Sequence, residues 1–136
     1  MKLIFLVLGL SWFGGSPATI TMQRTGCEGP CPVYRVVLDS IAATAHVTVS
    51  FPEFVDTTYN VDRRKLDKVF SLIHRSAFWQ TPEKQLSGIN DVGTTTITAS
   101  SNGRTKAVLY NGKPPMLDSI ARAIDKIANT KQLLYQ

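Results

Sequence analysis

Between residues 26 and 32 the chain reads Gly-Cys-Glu-Gly-Pro-Cys-Pro, and neither a strand nor a helix can run through it. Pro30 and Pro32 lack the amide that a ladder needs, and Gly26 and Gly29 weaken any pairing that remains. Both flanks alternate with period two. Ile20 and Met22 fall on one side of residues 19–25, with Thr21 and Gln23 on the other. After the break, Tyr34, Val36 and Leu38 oppose Val33, Arg35, Val37 and Asp39. Two half-buried strands therefore meet at a sharp connection, and that connection carries both cysteines of the protein.

The alternation continues through Ala43–Phe51, where Ala45, Val47, Val49 and Phe51 share a face, and into a short strand over Phe54–Tyr59. The period then lengthens. Leu66, Val69, Phe70, Ile73 and Ala77 recur at three and four residues, the stripe of an amphipathic helix that Asn60 or Asp62 caps and that ends near Phe78-Trp79. Gln80–Asp91 is polar and without a period, so it reads as a loop. Two strands follow, Thr94–Ser100 and Thr105–Tyr110, joined by the Asn-Gly pair Asn102-Gly103 of a tight hairpin. Pro114-Pro115 then presets a second helix whose stripe is Leu117, Ile120, Ala121, Ile124, Ile127 and Ala128. The expected class is α+β, an antiparallel sheet of about six strands in the order ββββαββα, with two helices on one face.

The first residues are of another kind. Met1-Lys2, an apolar run from Leu3 to Phe13, and small residues at Ser16 and Ala18 form a secretory leader with cleavage near Ala18-Thr19. The expected organisation is a signal peptide over 1–18, one domain over 19–131, and a C-terminal tail over 132–136. Export to the periplasm or the medium follows, with no stable membrane span after cleavage. The apolar share of 43% against 18% charged suits a packed core and excludes a disordered chain. Fifteen Lys and Arg against ten Asp and Glu give a net charge of +5. The basic residues cluster only at Arg63-Arg64-Lys65 and Lys68, without interleaved aromatics, so this is read as a solvated helix face and nucleic acid is not the expected partner.

In an oxidising compartment, Cys27 and Cys31 read as a disulfide across a turn made by Gly29 and Pro30. Two alternatives stay open. The pair could exchange thiols, although Glu28 between them would raise a thiol pKa and the pair opens a strand, not a helix. It could also supply half of a zinc site, with His46 and His74 as the remaining ligands. These histidines stand 28 positions apart on different expected elements, where they otherwise read as an exposed strand residue and a helix-flank residue. No nucleophile elbow is present, and Asp56, Asp62, Asp67, Glu83 and Asp91 are scattered. Gly112-Lys113-Pro114-Pro115 opens a helix, but its prolines remove the amides that a phosphate would use. Tyr34, Tyr59, Phe78 and Trp79 read as core and sheet-face residues, and Tyr34 is placed to lock the cysteine turn through its ring and hydroxyl.

The stretch Cys27-Glu28-Gly29-Pro30-Cys31-Pro32-Val33-Tyr34 resembles the Cys-x-Gly-x-Cys-Pro-x-Tyr motif of a bacterial domain-of-unknown-function family, number 6438, found in small exported proteins and lipoproteins. Cys27, Gly29, Cys31, Pro32 and Tyr34 match residue by residue, and Asp91, Thr95 to Thr98, Gly103, Lys106 and Pro114 resemble the later half. The resemblance runs from Ile20 to Ala128. The chain departs from the family at Asp39-Ser40-Ile41, where an Asp-Gly turn is usual, and it has no lipobox cysteine. No activity comes with the resemblance. The expectation is a non-enzymatic exported module, without a cofactor, that binds a small ligand or an envelope protein or serves a structural role, with Cys27, Gly29, Cys31, Pro32 and Tyr34 as disulfide or functional motif.

Overall fold

The computed structural model describes residues 17–88 and 92–135. The expected leader lies outside the described residues except for Pro17 and Ala18, and so does Asp91. Seven strands form one mixed sheet: β1 Thr19–Arg24, β2 Val33–Asp39, β3 Thr44–Phe51, β4 Val55–Asn60, β5 Lys84–Gln85, β6 Thr94–Ser101 and β7 Arg104–Asn111. Their order across the sheet is β4-β3-β2-β1-β6-β7-β5. Helices α1 Arg63–Arg75, α2 Pro115–Ala128 and α3 Thr130–Leu134 complete the fold, with a 3₁₀ turn at Ala77–Gln80.

Alternation puts one row of side chains straight across five strands. Val47, Val36, Met22, Ile97 and Val108 are consecutive cross-strand partners and all are fully buried. The row behind them on the other face is His46, Val37, Thr21, Thr98 and Ala107, none of which is buried. The two helices expected from the sequence cover the apolar face, through Leu66, Val69 and Ile73 of α1 and Leu117, Ile120, Ala121, Ile124 and Ala128 of α2. Each fully buried Leu or Ile contributes about 2 kcal/mol to this layer.

The ends of the elements follow local chemistry. Asp62 caps α1 by accepting from the Lys65 amide at 3.0 Å. Ser76 leaves the helix in extended conformation, and its hydroxyl oxygen then accepts from Phe78 N at 3.3 Å. The turn that results seats Phe78 in the core. Asn102 and Gly103 take positive φ in the β6–β7 hairpin, as the Asn-Gly pair requires. After β2 the carboxylate of Asp39 accepts from the amides of Ile41 and Ala42 at 2.8 and 3.0 Å, and this closes the turn without a glycine. Its strand register is Asp39↔Thr44. The strand pairing also starts one residue earlier than Thr19: Ala18 N donates to the Ser40 hydroxyl, and Ser40 N donates to Ala18 O, both at 3.0 Å.

Three features correct the sequence reading. The polar stretch after residue 80 contains β5, which pairs parallel to β7 through Lys84↔Leu109 and Gln85↔Tyr110, so the sheet is mixed and has seven strands. Helix α1 ends at Arg75, not at Phe78-Trp79, because Ser76 breaks it. Residues 132–134, expected as tail, belong to a third helix that starts after Asn129 turns left-handed at φ 51°. No helix among the described residues is long and apolar enough to cross a membrane.

Candidate functional site

The cysteine motif sits at one end of the strands. Cys27 and Cys31 lie at disulfide distance with Cα atoms 5.5 Å apart, in the connection between Arg24, the last residue of β1, and Val33, the first of β2. Gly29, at φ +136°, holds a backbone conformation there that side chains rarely adopt. The loop leads Pro32 into β2 and delivers Tyr34 to the buried face. Across the same edge, a Cβ on Gly93 would stand 2.5 Å from the Thr25 carbonyl oxygen, so the start of β6 closes on this loop only because residue 93 has no side chain.

Below the motif a polar clasp ties the sheet to α2 and α3. The Tyr34 hydroxyl donates to Asp125 Oδ1 at 2.7 Å, and Thr130 Oγ1 donates to the same oxygen at 2.8 Å. Arg24 pairs with Asp125 Oδ2 at 3.1 Å and donates to Thr95 Oγ1 at 3.3 Å. Its guanidinium also lies 6.0 Å from the Tyr34 ring centroid. Burial, then the Asp125 charge, push the Tyr34 hydroxyl far above its usual ionisation range. Burial by itself would lower the Arg24 guanidinium, but the neighbouring oxygens of Tyr34 and Asp125 outweigh it and raise it. Burial raises the Tyr110 hydroxyl against the opposing charge of Arg24, and the hydroxyl has no hydrogen-bond partner among the described residues. The Tyr34 hydroxyl thus bonds a helix residue 91 positions away and not the cysteine turn itself.

The other expected metal ligands are elsewhere. His46 stands exposed on the open face of β3, with Nε2 2.5 Å from Asp56 Oδ1. His74 is an exposed residue of α1, at the opposite end of the strands from the cysteines. The structure does not bring Cys27, Cys31, His46 and His74 together, and no three His, Cys, Asp or Glu side chains gather among the described residues.

At that opposite end lies a feature the sequence did not signal. A cavity of about 600 Å³ opens between α1 and the ends of β1 and β6. Ile20, Ile41, Phe70, Ile73 and Trp79 give it apolar walls, and Arg63, Asp67 and His74 stand along the α1 side. Arg63 is partly engaged, since its guanidinium donates to the carbonyls of Ser40 and Ile41 at 2.9 and 3.0 Å. Arg104 stacks over the indole ring of Trp79 at 4.0 Å and Phe78 meets it edge-on at 5.9 Å, while Lys106 Nζ donates to the Trp79 backbone carbonyl at 3.1 Å. The indole Nε1–H is buried with no partner among the described residues. A cavity of this size, apolar with a few polar groups, is the form that small-molecule sites take.

No curated protein matches this sequence. Residues 18–128 match the family model described as a domain of unknown function (DUF6438). The match begins at the first residue paired into the sheet and ends at the last residue of α2, so the cavity and all of the clasp but Thr130 fall inside it, and the chain belongs to the DUF6438 family.

Proposed function

We propose that this protein is an exported, non-enzymatic binding domain that holds a small, mostly apolar molecule in the cavity between α1 and the ends of β1 and β6. The observation that carries the reading is the open cavity of about 600 Å³ with Ile20, Ile41, Phe70, Ile73 and Trp79 on its walls. The disulfide and the clasp are scaffold in this reading. They hold the far end of the sheet rigid and leave the cavity end to the ligand.

The test is a titration of the leader-free protein with short aliphatic and aromatic compounds, read by amide and indole N–H shifts. Binding moves Trp79 and the residues of α1 that face the cavity. If compounds bind but shift only residues around Cys27 and Cys31, the site is the cysteine loop and the cavity reading fails. The export half is tested by intact mass with and without alkylation on protein from its native compartment. A new terminus near Ala18 and a mass two units low are expected. Full-length chain, freely alkylated thiols or a retained zinc ion would overturn it and make Cys27 and Cys31 the functional site.

A further inference from the structure

Along the sequence the basic residues gather only over 63–68, but the fold joins others to them. The three helices carry eight Lys and Arg against three Asp, a surplus of five that equals the net charge of the whole chain. Helices α1 and α2 lie side by side on one face of the sheet, so the sides they turn away from it point in one direction. At about 3.6 residues per turn, Arg64, Lys68 and Arg75 fall opposite the buried stripe of α1. Arg122 and Lys126 stand likewise on α2, and all five are exposed, as is Lys131 on α3. Among the described residues only Arg122 of these six has a carboxylate partner, Asp118 on the same helix. Of the other two helix acids, Asp67 stands on the cavity side of α1 and Asp125 is held in the clasp. The open face of the sheet holds no such surplus, since Arg35 is set there against Asp39 and Asp56.

We propose that the outer ridges of α1 and α2, with Lys131, dock this domain on an anionic lipid bilayer, held at headgroup level by charge alone. The apolar stripes of both helices are spent on the sheet, so neither sinks into hydrocarbon as a free amphipathic helix does. The ridges carry no aromatic side chain to stack on a base, and they are two helices broad where a duplex groove admits one. A planar array of lipid phosphates suits both facts. Each Lys or Arg brought close to such a surface strengthens binding by about fivefold. None of the six residues lines the cavity, so docking and ligand binding stand or fall separately.

The experiment is co-sedimentation with lipid vesicles of residues 18–136, free of the apolar run Leu3 to Phe13 that would itself partition into lipid. Vesicles of phosphatidylcholine are compared with vesicles of phosphatidylcholine and phosphatidylglycerol in equal parts. The domain should pellet with the second and not with the first. That binding should vanish between about 0.01 M and about 1 M salt, as the screening length shrinks from about 30 Å to about 3 Å. Lys68→Gln and Lys126→Gln keep good helix formers at exposed positions and should each weaken binding about fivefold, and together about twentyfold. Arg35→Gln, on the open face, should change it by less than about twofold. Binding to phosphatidylcholine alone, or binding that survives high salt, means an apolar anchor and overturns the proposal. A loss for Arg35→Gln equal to that for Lys68→Gln assigns the attraction to net charge and takes it away from the helix face. No pelleting with either vesicle at low salt, in protein with native circular dichroism, overturns it outright. A duplex oligonucleotide that strips the domain from anionic vesicles, phosphate for phosphate, makes nucleic acid the better partner and overturns the lipid assignment.

Discussion

Removing the carboxylate of Asp125 should cost this domain more stability than any other single change on its helices that leaves the apolar core intact. That oxygen pair receives three side-chain donors: Tyr34 at 2.7 Å, Thr130 at 2.8 Å and Arg24 at 3.1 Å. Bonds to a charged partner are worth roughly 1.5–3 kcal/mol each when buried, but they are not additive, and here both ends of the ion pair are partly exposed, Arg24 at 29% and Asp125 at 24%. Discounting for that exposure, Asp125→Ala is expected to lose about 3 kcal/mol, chiefly because it strands the Arg24 guanidinium with Thr95 as its remaining side-chain acceptor. Tyr34→Phe keeps the ring in the core and removes one donor, so about 1.5 kcal/mol is expected. The assay is equilibrium urea unfolding of residues 18–136 followed by circular dichroism, with the slope checked for constancy. The double variant supplies the decisive number. If Tyr34 acts through Asp125, the two losses fall short of additivity by about 1 kcal/mol. A loss below about 1 kcal/mol for Asp125→Ala, or strict additivity with Tyr34→Phe, would refute the clasp as the link between the cysteine motif and α2.

Three further outcomes follow from the same geometry. Replacing both Cys27 and Cys31 by serine opens a very short loop and should lower the unfolding free energy by roughly 2 kcal/mol, read as a shift of the urea midpoint; no shift would show that the bond constrains nothing. Stability should decline as pH rises above about 10. Burial raises the hydroxyls of Tyr34, Tyr59 and Tyr110 in the folded protein, so the unfolded chain releases those protons first and gains as they leave. The stabilisation is complete below the unfolded tyrosine range and is lost on the alkaline side. With the exposed Tyr135 replaced by Phe, tyrosinate absorbance that rises together with unfolding is expected, and absorbance that rises ahead of it would contradict the burial argument. Gly93→Ala pushes a methyl group into the Thr25 carbonyl and should destabilise the domain by about 1–3 kcal/mol, whereas Gly88→Ala, with nothing within 4 Å, should be close to neutral in the same thermal melt.

How much was legible depends on whether a residue's partner is near it in sequence. The faces of β1, β2 and β3 could be read because burial on one side of a pleat writes a period of two into the chain, and Ile20, Met22, Val36 and Val47 obey it. Asp62 as a cap, Pro115 at the head of α2 and the Asn102-Gly103 turn were legible for the same reason, since each acts within three residues. Strand β5 was not. Two residues cannot show a period, and Lys84 and Gln85 pair through backbone at a sheet edge where no apolar side chain is required. The third helix was hidden by its length and by the left-handed Asn129 that separates it from α2. Of the clasp, only Tyr34 was visible. Asp125 sits among Ile124 and Ile127 on an amphipathic helix, where a lone acid reads as solvated flank, and its partners Arg24 and Tyr34 are 101 and 91 positions away. The one sequence hint was an acid on the half-buried margin of the stripe, aligned with Asp118 and Arg122. The cavity had no signature at all, because it is made from the ends of elements, and ends carry no period.

The two borders of the sheet are finished differently. Beyond β7 the ladder is closed by β5 for two residues, and Leu109 N also donates to the Glu83 carbonyl at 2.8 Å. Beyond β4, nothing among the described residues continues the ladder, and Val55–Asn60 holds an unbroken register with β3 and contains neither proline nor lysine. Such a margin is a template. At high concentration β4 can pair with β4 of a second copy, a self-complementary contact that closes into a two-fold pair and stops there, and a single lysine at Thr57 or Thr58 should oppose it.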